Sequence, residues 1–254
     1  MKKKHRLYAV SLIAVVALLL FILRSMSFPT LEIRELVVTG ERDVRAITDV
    51  RRAVEGELSG SFFTQDLDQI KQAVERLTWV KSVTVTRVWP DSVNVNVVRL
   101  EPVARWEDGR LVSADGVVYV PLVEETGKTD GLPLIVADTT VFAPDAVKFL
   151  PRFQSIAAAF RVQVKSIAIS YRGSWTVSLR MPKDRILRIE LGRATSSDVV
   201  FDRLKRVLEN YERVCETLQA CPSFIDARYE NAFAARWPDS RFGMKKKDLK
   251  RGGS

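Results

Sequence analysis

Histidine is almost absent from this chain of 254 residues, which contains one histidine and two cysteines. The histidine, His5, stands at the very start, so the rest of the chain has no imidazole for a proton relay or a metal site. The cysteines, Cys215 and Cys221, are too few for a structural zinc site. These absences exclude most histidine-dependent and zinc-dependent chemistry.

Motifs for nucleotide binding and for a serine nucleophile are also missing. The sequence has no S-x-x-K, no P-loop and no G-x-G-x-x-G. Two acidic pairs, Glu107-Asp108 and Glu124-Glu125, are the carboxylates that a glycosidase could use. Both pairs stand in hydrophilic, turn-like stretches, where solvated loop acids are the simpler interpretation. We therefore expect no catalytic residue, no metal and no cofactor.

One long hydrophobic run is present, from Leu7 to Leu23, and it carries no charge. As an α-helix it covers about 25 Å, which is within the range of a membrane-spanning segment. Basic residues precede it, so the positive-inside rule places residues 1–6 in the cytoplasm and the chain after the run across the membrane. A cleaved signal peptide is the alternative, with Ser25-Met26-Ser27 as the candidate cleavage site. The length of the run and Arg24 favour an uncleaved anchor.

The net charge of +9 comes from the two ends of the chain. The first six residues carry four cationic side chains, and residues 240–254 carry six against one acid, Asp248. The chain has 40 basic and 31 acidic residues in total. Without those at the two ends, residues 7–239 contain 30 of each and carry no net charge. We expect residues 240–254 to be a disordered basic tail, with contact to anionic lipid or another polyanion as the alternative.

Residues 31–100 are predicted to form a small α+β domain, after a linker at residues 24–30. A strand comes first, then a helix capped near Thr48 or Asp49, then a second helix capped by Asp66. Valines then alternate with polar residues in two strands, on either side of a turn at Trp89–Ser92. The order strand, helix, helix, strand, strand predicts one layer of helices on a small sheet.

Residues 101–239 are predicted to form a second domain, a mainly antiparallel sheet flanked by helices. Two Asp-Gly dipeptides between short apolar stretches indicate hairpins. Helical periodicity predicts a helix that begins near Pro144 and a longer one over Ser197–Leu218. The last ordered piece, Phe224–Trp237, has two strand-like halves around Glu230-Asn231.

The cysteines stand at the junction between the long helix and the last strands. In an oxidising compartment, a disulfide between Cys215 and Cys221 would join the end of the helix to the final strand. Free thiols are the alternative, because a short loop restricts the geometry of the bridge. We expect the disulfide.

Several segments form a pattern of order and spacing that extends over most of the chain: Val37–Arg42, Phe63–Asp66, Glu75–Val80, Val88–Asp91, Pro102–Trp106, Leu191–Arg193, Ile225–Tyr229 and Arg236–Trp237. Together they closely resemble the bacterial cell-division family FtsQ, also called DivIB. The resemblance implies a POTRA domain followed by a β domain, both in the periplasm, in a single-pass inner-membrane protein at the division septum. It also implies a non-enzymatic scaffold that holds the FtsB–FtsL pair and links early cytosolic division proteins to septal peptidoglycan synthesis. Other divisome proteins would contact the POTRA domain and the membrane segment.

In that family, the last strands of the β domain bind a C-terminal segment of FtsB by strand addition. An edge strand offers unpaired backbone groups, which supply affinity, while alternate side chains supply specificity. Tyr229 and Trp237 match the family's aromatic anchors, and Arg228 matches an arginine that pairs with an acid of the partner. Phe233 and Arg236 stand where small residues are common in the family. The resemblance therefore implies these partner-binding residues: Arg172, Arg228, Tyr229, Phe233, Arg236 and Trp237.

Two other functions share parts of this pattern. POTRA modules also occur in outer-membrane assembly factors, but those proteins normally repeat the module, and this sequence has no internal repeat. A membrane-anchored periplasmic cell-wall enzyme would need a nucleophile or a metal site, for which the sequence offers no candidate. Both stay as alternatives to the scaffold interpretation.

Overall fold

The computed structural model describes five stretches of the chain, residues 15–17, 32–122, 129–194, 197–229 and 232–238. The chain divides into two compact units, with the boundary after Arg99. The predicted linker at 24–30 and the predicted basic tail at 240–254 lie outside the described residues, as does the predicted membrane segment at 7–23 except for residues 15–17. Among the described residues, no helix has the length and apolar character needed to cross a membrane.

The first unit is a three-stranded sheet with two helices. In the sheet the strand order is β1-β3-β2, with β1 parallel to β3 and β2 antiparallel to β3. The predicted order of strand, helix, helix, strand, strand is confirmed. The elements are β1 (Glu35–Thr39), α1 (Val44–Glu55), α2 (Leu67–Glu75), β2 (Val80–Val88) and β3 (Ser92–Arg99).

The start of α1 differs from the prediction. Asp43, and not Thr48 or Asp49, is the N-cap, and its side chain accepts hydrogen bonds from the backbone N–H groups of Arg45 and Ala46. The apolar face begins with buried Ala46, which is too small to mark a helix start in a search for large hydrophobic residues. The cap of α2 was predicted correctly, since the Asp66 side chain accepts from the Asp68 N–H.

The alternation of valines in β3 places one face of the strand in the core. Val93, Val95 and Val97 are all buried, as the period of two in the sequence predicts. Val83 of β2 lies opposite Val97 and is buried as well. The helices cover this face, with Val50 of α1 fully buried.

Buried Gln65 organises the connection between α1 and α2, a role that the sequence did not reveal. Its side chain is 2% exposed. The amide oxygen accepts from the N–H groups of Ser59 and Gly60, both at 3.1 Å. The amide nitrogen donates to the carbonyl oxygens of Glu57 at 2.8 Å and Asp66 at 3.2 Å. One side chain thus supplies four hydrogen bonds to a stretch of backbone that has no regular partner.

We predict that Gln65→Leu destabilises the first unit by on the order of 2 kcal/mol, because it leaves buried backbone groups without partners. Amide hydrogen exchange at Val50 and Ile70 measures this local stability. Exposed Gln69 provides the matched control, and Gln69→Leu should leave the exchange rates nearly unchanged. Equal exchange rates for the two variants would contradict the role assigned to Gln65.

Within its described residues, the second unit contains nine strands and two long helices. Two short 3-10 turns, Thr140–Phe142 and Pro182–Asp184, are described there as well. The strands are β4 (Pro102–Trp106), β5 (Leu111–Ser113), β6 (Val118–Tyr119), β7 (Leu134–Ala137), β8 (Gln163–Ile169), β9 (Ser174–Met181), β10 (Arg185–Arg193), β11 (Phe224–Asp226) and β12 (Ala234–Arg236). The helices are α3 (Ala143–Ala159) and α4 (Ser197–Leu218).

All nine strands belong to one sheet, in the order β12-β11-β10-β9-β8-β7-β4-β5-β6. Five neighbouring pairs are antiparallel and three, β4–β7, β7–β8 and β10–β11, are parallel. The sheet is therefore mixed, and the parallel pairs were not anticipated. Helices α3 and α4 are the crossovers that two of these pairs require.

The two helices pack on the sheet through a cluster of aromatic side chains. Phe149 of α3 stacks on Trp175 of β9, with ring centroids 4.7 Å apart. Phe153 contacts Phe201 of α4, with ring centroids 4.8 Å apart. The predicted helices are confirmed, and this cluster explains why α3 carries two phenylalanines on its apolar face and α4 carries Phe201 near its start.

Candidate functional site

Strand β12 forms one edge of the nine-stranded sheet. It is antiparallel to β11, with Ala234 opposite Asp226 and Arg236 opposite Phe224. Within the described ranges, no strand pairs with its outer side, and all three of its residues are exposed. Such an edge presents unpaired backbone N–H and C=O groups that can accept another strand.

The place of β11, and hence of β12, depends on helix α4. Because β11 runs parallel to β10, the chain must return across the sheet, and α4 makes that return. Near the end of the crossover, the hydroxyl group of Tyr211 donates to the carbonyl oxygen of Pro222 at 3.1 Å. Burial raises the pKa of this hydroxyl, so it stays a donor over the physiological pH range. The hydrogen bond fixes the point from which β11 starts.

A disulfide and an indole hydrogen bond hold the same connection. Cys215 and Cys221 are joined in the structure, with their Cα atoms 4.4 Å apart. Trp237, directly after β12, donates from Nε1 to the carbonyl oxygen of Ala220 at 3.0 Å. The end of β12 is therefore tied to the residues that follow α4. That the disulfide forms in the cell stays a prediction.

Arg228 follows β11 and is paired within the chain. Its Nε and Nη2 donate to the two carboxylate oxygens of Asp226, at 2.9 and 2.6 Å. Its Nη1 lies 3.3 Å from the carboxylate of Glu190 on β10. Gly192 allows this placement, since a Cβ there would come within 3.0 Å of the Arg228 Cγ. Half of the side chain stays exposed, so the guanidinium is held in place with one side open to solvent.

Arg228 and Asp226 each stabilise the charged form of the other. The hydrogen bond from Arg228 holds the pKa of Asp226 below its ordinary value, and Asp226 with Glu190 raises the pKa of Arg228 further. Both groups are therefore charged at neutral pH. The pairing could not be predicted from the sequence, because an Asp-x-Arg spacing is common in loops.

Arg206 of α4 holds both ends of the connection between β11 and β12. Its Nη2 donates to the carbonyl oxygen of Tyr229 at 2.9 Å, and its guanidinium carbon lies 5.3 Å from the centroid of the Phe233 ring. Phe233 is half-buried and packs against the core of the unit. Tyr229, in contrast, is 56% exposed. Sequence reasoning missed Arg206, since it stands on the polar side of the helical pattern.

The remaining residues of the predicted set occupy two separate places. Arg236 is exposed on β12, and its guanidinium carbon lies 5.3 Å from the ring centroid of Phe224. Arg172 belongs to the turn between β8 and β9, with its guanidinium carbon 5.2 Å from the ring centroid of Tyr171. Because Ser174 pairs with Arg193 and Asp226 with Glu190, the Arg172 turn and Arg228 lie at the same end of the sheet.

Two family models match most of this chain. Residues 31–98 match the model described as "POTRA domain, FtsQ-type", and residues 104–228 match "Cell division protein FtsQ/DivIB, C-terminal". A protein of Burkholderia pseudomallei (strain K96243), named cell division protein FtsQ, is 30% identical over 214 residues, 84% of this chain and 83% of its own. The FtsQ protein of Escherichia coli (strain K12) is 30% identical over 213 residues, 82% of this chain and 73% of its own.

This chain belongs to the FtsQ/DivIB family. The first unit is thus the POTRA domain and the second is the FtsQ C-terminal domain, with a role in the divisome and at the division septum. The resemblance read from the sequence is confirmed. The relatives are named as cell-division proteins, a family not known as enzymes. The matched range of the C-terminal model ends at Arg228, so Tyr229 and β12 lie just beyond it.

No metal centre competes with this assignment in the described part of the chain, where no group of three or more His, Cys, Asp or Glu side chains could hold an ion. The side chains around β12 instead offer hydrogen-bonding groups, aromatic rings and positive charge. These are the elements of a protein-recognition surface.

We predict that the pairing of Asp226 with Arg228 stabilises the FtsQ domain at neutral pH and not in acid. Since the folded-state pKa lies below 3.8, the contribution is complete above about pH 4 and is lost as the pH falls through the folded value. Asp226→Asn should therefore lower the free energy of unfolding by on the order of 1 kcal/mol at pH 7, and by less at pH 3.

Urea unfolding at a series of pH values measures this difference. Asp108 provides a control, because its pKa is also lowered by an arginine, Arg110, but in an exposed turn. Asp108→Asn should cost less at every pH, because solvent screens the pair. A difference between wild type and Asp226→Asn that stays constant from pH 7 to pH 3 would contradict the assignment.

Proposed function

We propose that this FtsQ-family chain is a non-enzymatic, single-pass membrane scaffold that binds the FtsB–FtsL pair through the edge strand β12. In this role it links early cytosolic division proteins to septal peptidoglycan synthesis on the other side of the inner membrane. The proposal combines the family assignment with one structural observation, the open edge of β12.

The edge supports strand addition because nothing in the described part of the chain covers it. Ala234 and Ala235 present small side chains, which leave the backbone accessible to an incoming strand. Backbone pairing supplies affinity in this mode, and the side chains next to the strand supply specificity. A segment of FtsB would extend the sheet from nine strands to ten.

Two of the predicted contact residues are well placed to select the partner. Tyr229 is largely exposed and stands between β11 and β12 in the sequence. Tyrosine is a frequent hot-spot residue, since its ring buries a large area and its hydroxyl group can still bond. Among the described residues, Arg172 contacts the ring of Tyr171 and forms no ion pair, so its charge is available to an acid of the partner.

Three other predicted residues, Arg228, Phe233 and Trp237, support the surface from within. Arg228 is bound to Asp226 and Glu190, Phe233 packs on the core, and the Trp237 indole is hydrogen-bonded to Ala220. Substituting them would alter the fold of the edge as well as any contact with a partner. They are therefore poor choices for a binding test.

The membrane anchor is part of the proposal. It rests on the uncharged run Leu7–Leu23 and on the basic residues before it, which together favour a span with a cytoplasmic N-terminus. Both folded units would then lie in the periplasm, where FtsB and FtsL would meet β12. Other divisome proteins would contact the POTRA domain and the span.

We predict that Tyr229→Ala weakens the affinity for a peptide from the FtsB C-terminal segment by about thirtyfold, equivalent to about 2 kcal/mol. The loss is expected because the exposed ring contributes area to the complex and little to the fold. Isothermal titration calorimetry measures the affinity, and circular dichroism should show unchanged folding.

The opposite edge strand, β6, provides the matched control. Val120 is exposed beside it, and Val120→Ala should leave the affinity unchanged. A charge exchange adds specificity, since Arg172→Glu should weaken binding and the reversed charge on the partner's acid should restore part of it. Normal folding of Tyr229→Ala with unchanged affinity would show that the partner binds elsewhere.

A further inference from the structure

Two exposed aromatic side chains stand out on the POTRA domain. Trp89 is 77% exposed and Phe63 is 68% exposed, whereas Trp79 and Phe62 of the same domain are buried. Exposing a large aromatic ring to water is unfavourable, so two such rings on one small domain require an explanation.

The turn that carries Trp89 lies where the chain enters the domain. The backbone N–H of Arg34 donates to the carbonyl oxygen of Asp91 at 2.8 Å. Glu35, the first residue of β1, lies opposite Ser92, the first residue of β3. Trp89 therefore belongs to the end of the sheet from which β1 starts.

The turn that carries Phe63 lies at the same end. Glu32 forms an isolated antiparallel bridge with Ser61, which begins that turn. Arg87 of β2 donates from Nε to the carbonyl oxygen of Phe62 at 2.9 Å and from Nη2 to that of Gln65 at 2.5 Å. The two aromatic turns are thus linked to each other and to the first described residues of the domain.

The chain's own covalent length brings this end close to the proposed membrane span. From Leu23, the last residue of the span, to Glu32 there are nine residue steps, which reach at most about 32 Å when fully extended. Residues 24–31 therefore connect the proposed span directly to the end of the domain that carries Trp89 and Phe63.

We propose that this end of the POTRA domain docks on the lipid bilayer, with Trp89 and Phe63 inserted at the interface between headgroups and acyl chains. Tryptophan favours that depth, because its ring is apolar and its N–H can bond to water or headgroups. Val88, which is 45% exposed, adds apolar area beside Trp89. This inference rests on the proposed membrane anchor.

The charges near the two turns indicate that the aromatic rings, and not electrostatic attraction, drive the docking. Three acids, Glu32, Glu35 and Asp91, face two cations here. Arg34 lies 4.0 Å from the Asp91 carboxylate, and Arg87 donates to backbone carbonyl oxygens. Docking is therefore expected to be equally strong on neutral phosphatidylcholine and on membranes that contain anionic phosphatidylglycerol.

Tryptophan fluorescence of the full-length chain in phospholipid nanodiscs tests the proposal. Brominated phosphatidylcholine quenches only tryptophans that touch the bilayer. The proposed span contains no tryptophan. Of the other tryptophans, Trp79, Trp106 and Trp175 are at most 5% exposed, and Trp237 is half-buried. We expect brominated lipid to reduce the emission, by up to about one fifth if the five tryptophans emit equally, and Trp89→Phe to abolish that reduction.

Two further variants complete the test. Trp106→Phe should retain the quenching, and Phe63→Ser should reduce it at least twofold, because Phe63 helps to hold Trp89 in the interface. Equal emission from brominated and ordinary nanodiscs would overturn the docking. A surface that binds a protein partner instead of lipid would give this result. Quenching that persists in Trp89→Phe would overturn it too. A chain that fails to incorporate into nanodiscs at all would instead refute the anchor.

Discussion

The unpaired outer side of β12 is the feature on which the functional account depends. It exists because β11 is added to the sheet in parallel, after a crossover through α4, and because β12 then runs antiparallel to β11 as the last strand that the structure describes. An edge of three residues is short, which limits unwanted pairing with other chains. Specific binding must therefore come from the side chains beside the strand as well as from its backbone.

The residues around β12 divide into those that build the edge and those that face outward. Arg228, Phe233 and Trp237 bind other parts of the same domain, so the strand is in place before any partner arrives. Preorganisation of this kind lowers the entropy lost on binding. Tyr229 and Arg172 make few contacts of their own and are the better candidates for recognition.

Much of the fold could be predicted from the sequence, because local patterns determine it. Alternating valines specified β3, and helical periodicity specified α4 to its observed ends, Ser197 and Leu218. Long-range partners could not be predicted in this way. The four hydrogen bonds of Gln65 and the parallel pairing of β10 with β11 depend on which segments meet in space.

The same limit applies to the site. The family resemblance gave the identity of Arg228 and Trp237, but not their contacts within the domain, because these depend on Asp226 and Ala220 being brought beside them by the fold. Arg206 was missed altogether, since its role depends on the fold bringing α4 close to the backbone of Tyr229. The resemblance therefore supplied a predicted set of partner-binding residues, and the structure separates the supporting residues of that set from the exposed ones.

Hydrogen exchange of backbone amides in the complex with the FtsB segment tests the central claim most directly. If β12 accepts a partner strand, the amides of Ala234–Arg236 that point away from β11 should exchange much more slowly in the complex. The amides of Val118–Tyr119 in β6, the edge at the other side of the sheet, should be unaffected. Tight binding with unchanged exchange along β12 would contradict strand addition and place the partner on another surface.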